Sequence, residues 1–141
     1  MEKPVLEGPV AHYAASYKTD SAEFQLDPYE YLEYKYHLDK DAGMMFRWTA
    51  SGDVKHDFHG DPDEKGAKEQ SYDKRSRREA YGAFTAPFSG IHGWFWENTG
   101  SERITIRIQS AGFYGSAVEI RSDHTRRAHP LMDASPAGKN P

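Results

Sequence analysis

An antiparallel β-sandwich of about eight strands is the fold class that this 141-residue sequence predicts, and three observations carry the prediction. Apolar residues recur mostly at a spacing of two, the period that puts one face of a strand in a core. No segment keeps a helical period for longer than about two turns. Aromatic residues make up 13% of the chain and supply large buried areas, which offsets a hydrophobic share of only 37%. This length forms one domain with a core of its own, without disulfides or structural metal.

Residues 1 to 21, MEKPVLEGPVAHYAASYKTDS, carry two prolines and no steady apolar period, so they read as a linker or loosely tied arm. The sandwich spans residues 22 to 121. EFQL aligns Phe24 with Leu26, and YLEYKYHL aligns Leu32, Tyr34, Tyr36 and Leu38 against Tyr31, Glu33, Lys35 and His37. MMFRWTA sets Met44, Phe46, Trp48 and Ala50 opposite Met45, Arg47 and Thr49. DVKHDFHG is a shorter strand. Residues 61 to 79, DPDEKGAKEQSYDKRSRRE, have no hydrophobic face and read as a long, exposed, charged loop. YGAFTAPF, the stretch from 90 to 109 and FYGSAVEI supply the remaining strands. From 122 onward, SDHTRRAHPLMDASPAGKNP reads as a flexible tail.

GIHGWFWENTGSERITIRIQ, residues 90 to 109, is the most distinctive stretch and reads as a hairpin. Gly100 stands where a three-residue loop from Asn98 to Gly100 wants a left-handed residue. That loop sets Trp94 against Ile104 and His92 against Ile106, so tryptophans and isoleucines share the buried face. A register one residue off would instead set the tryptophans against Arg103 and Thr105, on a polar working face. The glycine favours the first register. The expected core therefore includes Trp48, Trp94, Trp96, Ile104, Ile106 and Ile108, with His92 at its edge.

Charge and composition narrow the function. The formal net charge is −4, and residues 22 to 59 hold eight acids against four bases, which disfavours nucleic acid as a partner. The basic run DKRSRRE, residues 73 to 79, reads as the solvated end of the charged loop. The absence of cysteine excludes disulfides, thiolate metal sites and a cysteine nucleophile. No stretch reaches the roughly 20 apolar residues of a membrane span, and the N-terminus lacks the apolar core of a signal peptide. The chain as given reads as soluble.

No catalytic motif stands out: there is no nucleophile elbow, no phosphate-binding glycine loop and no helical H-E-x-x-H, so no catalytic residues are assigned. The acids Asp61 and Asp63 flank a proline, where turn chemistry explains them. A rival reading is a divalent metal site for zinc or copper built from His56 and His59 of HDFHG with His92, Met44 and Met45 being soft ligands suited to copper. Strand residues three apart face opposite ways, so His56 and His59 meet only across a bulge or at the strand end. The bland reading lines Val54, His56 and Phe58 on the core face with His59 at an exposed end. A third reading takes some of the nine tyrosines as a stacking platform for sugar or peptide, with Tyr31 and His37 as the exposed candidates.

GIHGWFWEN resembles the strand in GOLD (Golgi dynamics) domains in which a glycine, an aromatic and an aromatic-acid-asparagine ending precede a turn. Gly90, Trp96, Glu97 and Asn98 match that pattern, His92 stands where the family usually has tyrosine, and FTAPFSG resembles its lead-in. The run from EYKYHLDKDAGMMFRWTASGDVKHDFHGDP through GFY is similar to the extracytoplasmic part of bacterial membrane-anchor proteins. The resemblance covers about residues 22 to 114 and implies a GOLD-like or jelly-roll-like sandwich in the periplasm or another extracytoplasmic space. It implies a non-catalytic binding or assembly module with a protein partner, and a membrane association made only through an anchor absent from this sequence. The cysteine pair of eukaryotic cargo-receptor GOLD domains is missing here. A homo-oligomer is compatible with this reading.

Overall fold

The computed structural model describes residues 3 to 134, and in it the period-two pattern closes into a strongly curled antiparallel sheet. Its elements are β1 (Val5–Glu7), β2 (Val10–His12), β3 (Lys18–Leu26), β4 (Tyr31–Leu38), β5 (Gly43–Pro62) and β6 (Gln70–Thr85). They continue with β7 (Gly90–Asn98), β8 (Ile104–Gly112), β9 (Ser116–Arg121), β10 (Arg126–His129) and β11 (Met132–Asp133). No helix occurs among the described residues. The strand order is β10-β9-β4-β7-β5-β8-β3-β11, with β6 lying along β5, while β1 and β2 form a separate hairpin. The all-β, sandwich-like class read from the sequence is the observed one.

β5 makes two layers out of one sheet. Residues 44 to 50 pair with β8, residues 54 to 62 pair with β7, and the register against β6 shifts between Thr49 and Val54. A strand that bends at such an irregularity belongs to both layers and forms the corner between them. The β9-β4-β7 half thereby lies over the β8-β3 half. Side chains meet across the gap: Phe24 of β3 lies 4.9 Å from the Tyr34 ring of β4, and Trp48 of β5 lies 5.5 Å from Trp96 of β7.

All six residues expected in the core, Trp48, Trp94, Trp96, Ile104, Ile106 and Ile108, are buried. Trp94 stacks on Phe58 at 4.6 Å and on Trp96 at 5.9 Å. The partners, however, are not those of the predicted hairpin. β7 pairs with β4 and β5, whereas β8 pairs with β3 and β5, so Trp94 faces Tyr34 and Phe58, and Ile104 faces Leu26. The glycines with left-handed φ are Gly8 and Gly66, not Gly100. Asn98 supplies the reason: its amide donates to Leu26 O and Glu102 O, and its Oδ1 accepts the Gly100 N–H. That fixes a connection crossing between layers in place of a tight turn.

Three segment boundaries also change. The stretch 61 to 79 is mostly strand: β5 runs on through Pro62, β6 begins at Gln70, and only residues 63 to 69 connect them. β6 pairs with β5 alone, so its run of Lys74, Arg75, Arg77 and Arg78 charges a free edge, a pattern that discourages edge-to-edge association. Apolar periodicity misses such a strand. The N-terminal arm contains the β1–β2 hairpin, turned at a left-handed Gly8 (φ 57°), and β3 already begins at Lys18. The segment after 121 adds β10 along β9 and β11 along β3, and the rest of that predicted tail, from 135, lies outside the described residues.

Inside the β9-β4-β3 end sits a polar layer. The hydroxyls of Tyr34 and Tyr36 both donate to Asp20 Oδ2, at 2.5 and 2.8 Å, and Ser110 links Tyr36 to Tyr114. Burial, followed by the neighbouring Asp20 carboxylate, pushes the Tyr34 and Tyr36 hydroxyls well above the ordinary phenol range. Buried hydrogen bonds to a charged acceptor tie the layers in one register.

Candidate functional site

Strand alternation decides where the histidines go. His56 and His92 point into the sandwich and His59 points out. His92 Nε2–H donates to Phe88 O at 3.0 Å, and its Nδ1 accepts the Tyr72 hydroxyl at 2.9 Å. A carbonyl can only accept, so Nε2 carries a proton, and in the neutral ring Nδ1 is left to accept from Tyr72. Burial depresses its pKa to about 4. His56 Nδ1–H donates to Arg75 O at 2.8 Å, and burial lowers this ring too. His56 and His59 both border the same groove, but the structure does not bring His56, His59 and His92 together as one ligand set. Met44 is buried in the core and Met45 lies on the other layer, so neither joins His59.

His59 instead stands in a charged groove on the outer face of β4, β7 and β5. Lys35, Gly93 and His59 lie in one row across these strands, with Glu33, Phe95 and Asp57 in the next. A Cβ on Gly93 would come within 2.0 Å of Tyr34 O, so only glycine allows β4 and β7 this close approach. With no side chain in the middle of the row, Lys35 and His59 lie down into the groove, each with about 5–6% of its side chain exposed. The groove, about 480 Å³ in volume, is lined also by Lys55, Asp61, Glu69 and Lys74.

The ionic bonding here is dense. Lys35 Nζ reaches Asp61 Oδ2 at 2.5 Å and Glu33 Oε1 at 2.7 Å. His59 Nδ1–H donates to Asp57 O at 3.0 Å, which leaves Nε2 aimed at Glu33 Oε1, 3.4 Å away, and Glu69 Oε2, 3.6 Å away. His59 and then Lys35 hold the Glu33 carboxyl down to about 2, against the effect of burial. Burial pushes His59 down, but Glu33 and the other acceptors outweigh it and its pKa is raised. Sequence reading named His59 and missed its partners, because it ended the strand at Gly60. Carrying the period of two from Asp57 through His59 would have placed Asp61 on the same outer face.

Tyr31 and His37 occupy opposite ends of the outer face of β4, with Glu33 and Lys35 between them. Tyr31 packs on Phe95 at 5.2 Å, and His37 Nε2 pairs with Asp63 Oδ2 at 2.7 Å. They do not form one stacking platform.

The second layer carries a surface of another kind. Ala111, Met45 and Ala83 form one row across β8, β5 and β6, and Gln109, Arg47 and Tyr81 form the next. Met45 and Tyr81 are each 64% exposed. Beyond them a groove of about 490 Å³ runs to Tyr13, Tyr17 and Phe113. Tyr13 stacks on Phe113 at 3.4 Å, and its hydroxyl accepts the Gly43 N–H at 3.0 Å, which pins the base of the N-terminal hairpin to the groove rim. The hairpin itself exposes Val5, Leu6 and Val10.

These features define an all-β, antiparallel, sandwich-like domain that carries a charged groove on one layer and an apolar shelf on the other. No protein family, no curated protein and no solved structure matches the chain.

Proposed function

We propose that this chain is a non-catalytic binding or assembly module, extracytoplasmic and tethered beside a membrane as its resemblance to GOLD-like domains implies, and that it assembles through the apolar shelf on β8, β5 and β6. The observation that carries this reading is the exposure of Met45 and Tyr81 beside the groove at Tyr17 and Phe113. Large apolar side chains grouped on a sheet face, over small residues that leave room for a partner, mark interaction surfaces.

The partner is a second copy of this chain. Val5, Leu6 and Val10 leave the N-terminal hairpin with uncovered apolar side chains, and that hairpin springs from the rim of the shelf. An arm that leaves its own shelf uncovered is free to cover that of a neighbour, and two copies doing so close a symmetric dimer.

Sedimentation equilibrium tests this. The wild-type chain is expected to dimerise in the micromolar range, and Met45→Asp with Tyr81→Asp, or removal of residues 3 to 12, to leave folded monomers. A wild-type chain that stays monomeric at about 100 μM contradicts the reading, since that corresponds to less than roughly 6 kcal/mol of association free energy.

A further inference from the structure

We infer that His59, Asp61 and Glu69 form a binding site for a single divalent cation of the zinc type on the outer face of the first layer. The nitrogen of His59 and the carboxylate oxygens of Asp61 and Glu69 lie within 4.8 Å of one another. Ligand atoms on a tetrahedral zinc stand about 3.4 Å apart, given metal–ligand lengths near 2.1 Å. Asp61 is held on β5, whereas Glu69 projects from the connection with 62% of its side chain exposed, so Glu69 can close the remaining distance.

The state of His59 is the independent observation. Its side chain is only 6% exposed, and the bond from Nδ1–H to Asp57 O orients the ring so that Nε2 is the nitrogen aimed into the groove. A histidine oriented by a carbonyl through its other nitrogen is the usual arrangement of a metal ligand. Here Nε2 faces acceptors alone, at 3.4 and 3.6 Å, too far for hydrogen bonds of ordinary length. A cation seated between Nε2 and the carboxylates would give all of them a partner at bonding distance.

Charge agrees. Three carboxylates, Glu33, Asp61 and Glu69, face a single lysine, Lys35, around the gap beside His59. Asp57, Lys55 and Lys74 line the same groove further out. One imidazole with two carboxylates suits zinc, and the absence of methionine from the groove removes the soft donors that copper(I) prefers. Binding sets the cation in competition with Lys35 for Asp61.

The site lies on the opposite layer from the shelf, so it stands or falls separately from dimerisation. Calorimetric titration of tag-free, chelator-treated protein with zinc chloride at pH 7.5 tests it. One zinc per chain is expected, with micromolar or tighter affinity, and magnesium at the same concentration should give no comparable heat. His59→Ala and Glu69→Gln should each weaken binding at least tenfold. Glu69→Gln changes an exposed side chain, so it remains folded even if His59→Ala does not. Absence of zinc binding by wild type, or binding of equal strength in Glu69→Gln and in a folded His59→Ala, overturns the site.

Discussion

His92 shows how one residue links burial to pH. Its ring is neutral in the fold, with its pKa pushed down to about 4 by burial, while the unfolded chain keeps the ordinary value near 6.5. The unfolded state therefore takes up a proton that the folded state refuses. The stability this neutral ring contributes is fully present above pH 6.5 and is lost as pH falls through 4. Between pH 7 and pH 5 the loss is about 2 kcal/mol. His56 is lowered in the same sense, by burial. His59 is raised, with the Glu33 carboxylate outweighing burial, and so opposes the loss. Denaturant unfolding at the two pH values, in wild type and in His92→Gln, isolates the His92 share. The variant is expected to lose less stability on acidification by about that amount, and an equal loss in both contradicts the assignment.

At the scale of the element, β5 and β6 carry the account. Their long pairing leaves only residues 63 to 69 as connection, with Gly66 at a φ of 85°. Limited trypsin digestion should therefore cut first after Lys65 or Lys68, ahead of Lys74 through Arg78, whose backbone is tied to β5. First cutting within 74 to 78 contradicts the strand. The same pair marks what the sequence could reveal. Period two gave the correct inward face for Phe24, Tyr34, Trp48 and Trp94, since alternation is a local property. Partner choice is not local, so the β7–β8 hairpin was misread: Asn98 and the bend of β5 decide it, and neither has a periodic signature. β6 was hidden because it lies on an edge and carries charge where a central strand carries apolar residues. The candidate site was legible only in His59. Asp61 lies beyond a glycine read as the strand end, Glu69 comes to it through the β5–β6 pairing of Gly60 with Gln70, and Lys35 comes to it across β7 from a distant segment.

For the whole molecule, one curled sheet presents two unlike outer faces, a charged groove over β4, β7 and β5 and an apolar shelf over β8, β5 and β6. The interior is closed by the tryptophan layer and by the Asp20 network, and most of the exposed large apolar side chains, Tyr29 and Met132 apart, are on the shelf and its groove or on the β1–β2 hairpin. The central claim is that the hairpin of one copy covers the shelf of another. The chain has no cysteine, which makes the test clean. Chains carrying Leu6→Cys are mixed with chains carrying Ala83→Cys and oxidised, and a third chain carrying Asp123→Cys serves as the control for random collision. The account predicts a disulfide-linked pair between the Leu6→Cys and Ala83→Cys chains well above the yield of Leu6→Cys with Asp123→Cys. Equal yields from the two mixtures would contradict it.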